Sequence, residues 1–133
     1  MRVFLSYTHS DLQHATAIRD EIASNGHDVW LDTHKLLPGQ DWKHEIRAAI
    51  RQAEAVALLL SPRSVTKVGY VQKEIRLALD AADERPTGSV FILPLRVGKV
   101  EIPDRLAHLQ CVDFENAEWS RKLEQALDLI RKQ

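Results

Sequence analysis

Five short apolar runs divide the chain and constrain its fold more than any other feature. They are rich in β-branched residues and occur at Val3–Leu5, Val29–Leu31, Ala55–Leu60, Val90–Leu95 and Cys111–Phe114. Runs of this length and composition predict strands. Because apolar residues are continuous in them rather than alternating, we expect helices to cover both faces of a parallel sheet.

The segments between these runs have the spacing of amphipathic helices. After the second run, apolar residues recur at i, i+4, i+7, i+8 and i+11, and the C-terminal segment repeats this spacing. The helical stripes are Ala15, Ile18, Ile22; Trp42, Ile46, Ala49, Ile50, Ala53; Val71, Ile75, Ala78, Leu79, Ala82; and Trp119, Leu123, Ala126, Leu127, Ile130. We expect Ser10 or Asp11 to cap the first helix, which ends near Asn25-Gly26. One short helix is expected around Asp104 to Leu109.

This alternation of strands and helices predicts one doubly wound α/β domain over residues 1–133. Ligands in such folds bind beyond the carboxyl ends of the strands. Three segments therefore become candidates for chemistry: residues 6–11, 32–41 and 61–74.

Composition and missing motifs exclude several classes of function. A net charge of −1 provides no broad attraction to nucleic acid or to a membrane surface. The glycine-rich nucleotide-binding fingerprints are absent, and the six histidines form no compact set of metal ligands. Cys111 is the only cysteine, which favours a reducing compartment. We expect a cytoplasmic protein without a bound metal or cofactor, and the natural chain can extend beyond Gln133 because no helix stop signal precedes it.

Tyr70 and Glu74 lie one helical turn apart, about 90° around the helix from its apolar stripe. A carboxylate at that boundary is partly desolvated yet reachable, and a neighbouring aromatic ring lets a pocket hold a flat cationic ring. The alternative is a solvated Glu74 that pairs with Lys73 or Arg76, and spacing alone favours this second interpretation.

The segment after the second run is a loop by composition, and Pro38-Gly39 predicts a tight turn in it. The loop also contains Leu36 and Leu37, whose exposure in a free monomer is costly. The loop therefore either folds back on its own domain or docks a second copy, and the sequence favours neither alternative.

Taken in order, three segments resemble motifs of the bacterial-type TIR (Toll/interleukin-1 receptor) domain family. Residues 3–7 resemble its first motif, residues 29–39 its second strand and BB loop, and residues 58–62 its third strand and exit. The resemblance covers nearly the whole chain. It implies an α/β, flavodoxin-like three-layer fold: a five-stranded parallel sheet with helices on both faces. The family's last motif, Phe-Trp, is matched only by the separated Phe114 and Trp119.

In NAD+-cleaving members of the family, a glutamate follows an aromatic residue by four positions on the helix after the Ser-Pro, as Glu74 follows Tyr70 here. The resemblance thus implies that the chain splits NAD+ into nicotinamide and ADP-ribose or a cyclic variant, with Glu74 as the catalytic carboxylate. The implied substrate-binding residues are Tyr70, Ser6, Tyr7, Asp32 and Lys35. The sequence departs from the family's motifs in two ways: Tyr70 replaces the usual tryptophan, and the customary arginine before Pro38-Gly39 is absent.

The resemblance also implies that the domain is active only after self-assembly, when the BB loop of one copy completes the site of another. The residues implied in this contact are Leu36, Leu37, Pro38 and Gly39. A role in bacterial immune defence follows from the same likeness. The alternative function is a non-enzymatic adaptor that only docks on other TIR domains.

Overall fold

The computed structural model describes residues 1–31, 37–66 and 70–133, without the side chains of Leu31, Trp42, Thr66, Tyr70 and Val71. Its five strands form one sheet in the order β2-β1-β3-β4-β5, and every pairing is parallel. The strands are β1 (Arg2–Ser6), β2 (Asp28–Leu31), β3 (Ala55–Leu60), β4 (Ile92–Arg96) and β5 (Val112–Asp113). Strand β4 begins two residues later than predicted, and β5 is shorter at both ends.

Within the described ranges, five helices connect and cover the strands: α1 (Leu12–Ser24), α2 (Trp42–Gln52), α3 (Pro62–Thr66), α4 (Tyr70–Asp83) and α5 (Trp119–Arg131). The sequence analysis did not predict α3, which is only five residues long. Single 3-10 turns lie at His9–Asp11 and Asp104–Leu106, and the second is shorter than the helix expected there.

The sheet separates two apolar layers. In β1, Val3 and Leu5 face a cluster built with α1 and α5, whereas Phe4 faces a cluster built with α2 and α4. Strand β3 alternates in the same way, as the pleat of a strand requires. The flavodoxin-like three-layer architecture is therefore confirmed. No helix in the described parts of the chain is long and apolar enough to cross a membrane.

The ends of the helices agree only partly with the prediction. Helix α1 ends at Ser24, and Gly26 follows with a φ of +86°, a conformation that favours glycine. Asp11 occupies the N-cap position of α1, as predicted, but its side chain makes no capping hydrogen bond. In α2, by contrast, the Asp41 carboxylate accepts a hydrogen bond from the Lys43 N–H at 3.0 Å.

Candidate active site

The carboxyl ends of β1 and β3 lie side by side where the strand order reverses. Sheets of this topology form a ligand-binding crevice at that point. Ser6 ends β1 and Ser61 follows β3, and each is only 2% exposed. Buried polar side chains therefore lie where the topology predicts a site.

Asp11 joins the exits of these two strands. Its Oδ2 accepts hydrogen bonds from Ser61 Oγ at 2.6 Å and from Thr8 Oγ1 at 2.8 Å. All three residues are at least nine-tenths buried. Asp11 and Ser61 are 50 positions apart in the chain. Their pairing follows from the strand order, and no local sequence signal indicates it.

Ser61 also starts α3 through a reciprocal pair of hydrogen bonds. The Ser61 N–H donates to Ser64 Oγ at 2.8 Å, and the Ser64 N–H donates to Ser61 Oγ at 3.2 Å. This is the geometry of a capping box, with serine in place of the usual glutamate. Because Ser64 is fully buried, the first turn of α3 is fixed to the exit of β3.

Gln72 connects α3 to the first turn of α4. Its Nε2 donates to the Val65 carbonyl at 3.3 Å, and its Oε1 accepts from Arg105 at 2.6 Å. The first turn of α4 is thereby held to α3 on one side and to the turn at Asp104–Leu106 on the other. Glu74 lies two residues further along this helix.

Glu74 is only 1% exposed, deeper than the boundary position expected from the helical angle. It lies beside Ile75, which is part of the apolar layer between the sheet and α2 and α4. A solvated surface glutamate does not fit this burial. Carboxylates are seldom fully buried, because removing them from water is costly unless polar groups hold them. Its depth makes Glu74 a candidate for chemistry.

Ser6 and Tyr7, two of the predicted substrate-binding residues, lie on different faces of the sheet. The pleat places Ser6 on the same face as Phe4, towards the layer that contains α4. Tyr7 is 6% exposed and packs in the opposite layer, with α1 and α5. Tyr70 begins α4, but its side chain lies outside the described atoms, and Asp32 and Lys35 lie outside the described residues. Their binding roles stay predictions.

The predicted tight turn at Pro38-Gly39 is confirmed. The Gln40 N–H donates to the Leu37 carbonyl at 3.1 Å, and Gly39 has a φ of +90°. Leu37 is 68% exposed, so the loop does not bury this side chain against its own domain. Leu36, the other leucine of the predicted contact, lies outside the described residues.

Phe114 and Trp119, separated in sequence, come together in space. Their ring centroids are 4.7 Å apart, and His14 from α1 meets the Phe114 ring edge-on at 5.2 Å. These contacts fix the start of α5 to the exit of β5. Their role is structural.

The family follows from comparison with known proteins. A family model of the TIR domain matches residues 3–127. The chain belongs to the TIR domain family. A relative from Sinorhizobium fredii (strain NBRC 101917 / NGR234), the uncharacterized protein y4cD, is 27% identical over 113 residues. That match covers 85% of this TIR domain but only 17% of the relative.

Solved structures share the fold. A TIR-STING receptor from C. gigas, in complex with 2′,3′-cGAMP, is 25% identical with a TM-score of 0.75, covering 96% of this chain and 38% of that one. The TIR domain of the Toll-related receptor TRR-2 from Hydra magnipapillata is 17% identical with a TM-score of 0.78, covering 96% of both chains. The TIR domains of the activated Roq1 resistosome are 13% identical with a TM-score of 0.72, covering 96% of this chain and 97% of that one. The last two likenesses concern the fold alone.

Proposed function

We propose that this TIR domain cleaves the bond between nicotinamide and ribose in NAD+, with Glu74 as the catalytic carboxylate. The observation that carries the proposal is a glutamate only 1% exposed, one helical turn after Tyr70 in α4. Glu74 thus has the spacing from an aromatic residue that NAD+-cleaving TIR domains show. Its side chain is also far more buried than that of an ordinary surface glutamate.

The reaction suits a site with one carboxylate. When the ribose C1′–nitrogen bond breaks, its electron pair goes to nicotinamide, which leaves as a neutral molecule and needs no general acid. The ribose passes through an oxocarbenium-like state, whose positive charge a nearby carboxylate stabilises. Water then adds to C1′ and loses a proton to give ADP-ribose, or another atom of the same molecule attacks to give a cyclic variant. No cofactor takes part.

The burial of Glu74 supports activation by self-assembly. Ribose cannot contact a carboxylate that is 1% exposed in a single chain unless this edge of the sheet opens. Docking of a second copy through Leu37, Pro38 and Gly39 supplies the energy for that change. The partners are therefore NAD+ and other TIR domains, in a homo-oligomer or filament, and we place the activity in the bacterial cytoplasm, in immune defence.

Adaptor function is the second candidate, and the exposed Leu37 favours it. A leucine that is 68% exposed at a turn fits docking whether or not catalysis follows. An adaptor binds other TIR domains but releases no nicotinamide when clustered. NAD+-cleaving activity of the clustered protein therefore separates the two candidates.

The test measures nicotinamide release at high protein concentration with a crowding agent. We compare the wild type with Glu74→Ala and with Glu84→Gln, a control carboxylate beyond the far end of α4 whose side chain is 67% exposed. We expect release by the wild type and by Glu84→Gln only. If clustered Glu74→Ala consumes NAD+ as fast as the wild type, the assignment of Glu74 is wrong.

A further inference from the structure

A series of hydrogen bonds runs from Asp11 through helix α3 to Gln72, which lies two residues before Glu74. Asp11 binds Ser61, Ser61 fixes the first turn of α3, and the Val65 carbonyl of α3 accepts from Gln72 of α4. Gln72 and Glu74 share the first turns of α4. The exit of β1 and the helix that carries Glu74 are thus connected through these hydrogen bonds and the main chain of α3.

We propose that Asp11 is a positioning residue of the site, which sets the placement of the first turn of α4 and hence of Glu74. The inference rests on the proposed function and adds a residue to the same site. Asp11 acts through Ser61 and α3 and does not contact the substrate.

The local chemistry explains why an acidic residue is suited to this place. Two hydroxyl donors, from Thr8 and Ser61, converge on a single Oδ2 at 2.8 and 2.6 Å. Hydrogen bonds to a charged acceptor are shorter and stronger than neutral ones. Asp11 also lies at the N-terminal end of α1, where the helix dipole favours negative charge. Removal of the carboxylate leaves both buried hydroxyls without this acceptor.

A purely structural role is the alternative, and Arg85 provides the matched control. Arg85 lies at the opposite, amino-terminal edge of the sheet, where it donates to the Ala53 carbonyl at 2.8 Å and covers the Phe91 ring at 3.8 Å. Arg85→Leu therefore removes a polar contact that is less deeply buried than that of Asp11, beyond the far end of α4 from Glu74. A loss of stability lowers the melting temperature in both variants, whereas a positioning role lowers kcat only in the Asp11 variant.

The experiment compares Asp11→Ala, Asp11→Asn and Arg85→Leu in the clustered full chain. We expect Asp11→Ala to lower kcat by about tenfold or more, with KM changed by less than about twofold, because misplaced groups slow the chemical step more than binding. Asp11→Asn keeps an acceptor oxygen and recovers most of the loss. Arg85→Leu lowers the melting temperature and leaves kcat unchanged.

Amide hydrogen exchange gives a second readout that does not depend on activity. We expect Asp11→Ala, but not Arg85→Leu, to speed exchange of the amides of residues 71–76. If the two variants change kcat and exchange alike, or if exchange in this turn stays at the wild-type rate, the positioning role is wrong. If the wild type releases no nicotinamide, the proposed function is wrong, and hydrogen exchange alone then tests whether Asp11 positions the first turn of α4. If Asp11→Ala does not fold, Ser61→Ala breaks the same connection and is scored by the same criteria.

Discussion

The two edges of the sheet use polar side chains in different ways. At the amino-terminal edge, the Arg85 side chain donates to the Ala53 carbonyl at 2.8 Å, and the Gln133 amide binds the Val90 N–H and carbonyl at 2.6 and 3.0 Å. At the carboxyl edge, the Asp11 carboxylate accepts hydrogen bonds from the side chains of Thr8 and Ser61. Side chains at the first edge satisfy main-chain groups where strands and helices end, which serves stability.

The carboxyl edge holds polar groups whose burial costs free energy. Glu74, Asp11 and Ser61 are each at least nine-tenths buried. Buried networks of this kind fix one geometry when their members are satisfied, but a better-packed apolar edge is often more stable. This contrast is expected if the carboxyl edge carries the proposed site and the amino-terminal edge serves folding. Substitutions at the two edges are therefore expected to separate activity from stability.

The largest effect is expected at Glu74. Glu74→Gln keeps the size of the side chain but removes the charge that stabilises the ribose in the transition state, so nicotinamide release by the clustered protein falls about 100-fold or more. The melting temperature stays within about five degrees of the wild-type value, because glutamine has nearly the same size and keeps an acceptor oxygen at the same place. Calorimetry and the release assay on one preparation check this. A large drop in melting temperature would place Glu74 among the groups that serve folding.

Gly39→Pro is expected to have the next largest effect. Gly39 has a φ of +90°, whereas proline holds φ near about −65°, so the turn cannot form as it is. Clustered activity falls by about tenfold or more if the loop completes a neighbouring site, while the monomer keeps its melting temperature within a few degrees because the turn is exposed. Analytical ultracentrifugation and the release assay measure the two consequences. Full activity in this variant would contradict a role of the loop in assembly.

At the amino-terminal edge, Arg85→Leu is expected to act on stability alone. Loss of the hydrogen bond to Ala53 and of the contact with Phe91 lowers the free energy of unfolding by about 1–2 kcal/mol. Denaturant unfolding measures the change, and activity of the clustered variant remains at the wild-type level. If Arg85→Leu lowered kcat without lowering stability, the expected separation of activity and stability between the two edges would be wrong.

The smallest effect concerns His27, beside the start of β2. Burial lowers the pKa of His27 below its ordinary value of 6.5, so the folded state favours the neutral ring. A lowered pKa contributes stability above pH 6.5, and that stability is lost as the pH falls through the folded-state pKa. The melting temperature of His27→Gln therefore falls less than that of the wild type between about pH 7.5 and pH 5.5. If the melting temperatures of the wild type and His27→Gln change equally with pH, this role of His27 is contradicted.

The sequence predicts the layers well because both faces of the strands and one face of each helix are apolar. It predicts too long a fourth strand, since the main chain of Val90 binds the Gln133 side chain instead of a neighbouring strand. Helix α3 is too short to show a helical period. Asp11 has the sequence of a helix cap, yet its partner Ser61 becomes a neighbour only once β1 and β3 pair.

The depth of Glu74 was beyond prediction for a similar reason. The helical angle places it at the boundary when α4 is considered alone, whereas the folded chain also brings Leu106 into the apolar layer that contains Ile75. The hydrogen bond from Arg105 to Gln72 Oε1 holds the turn at Asp104–Leu106 against α4. Both contacts depend on a segment of the chain with no regular pattern.

Mixing two inactive variants shows whether Glu74 of one copy and the BB loop of another complete a shared site. Glu74→Gln copies keep the BB loop, and Gly39→Pro copies keep Glu74, so a site shared between copies can form only in a mixed assembly. We predict that each variant alone releases almost no nicotinamide from NAD+ and that clustering the two together restores release. A Glu74→Gln variant that is as active as the wild type on its own would contradict the account.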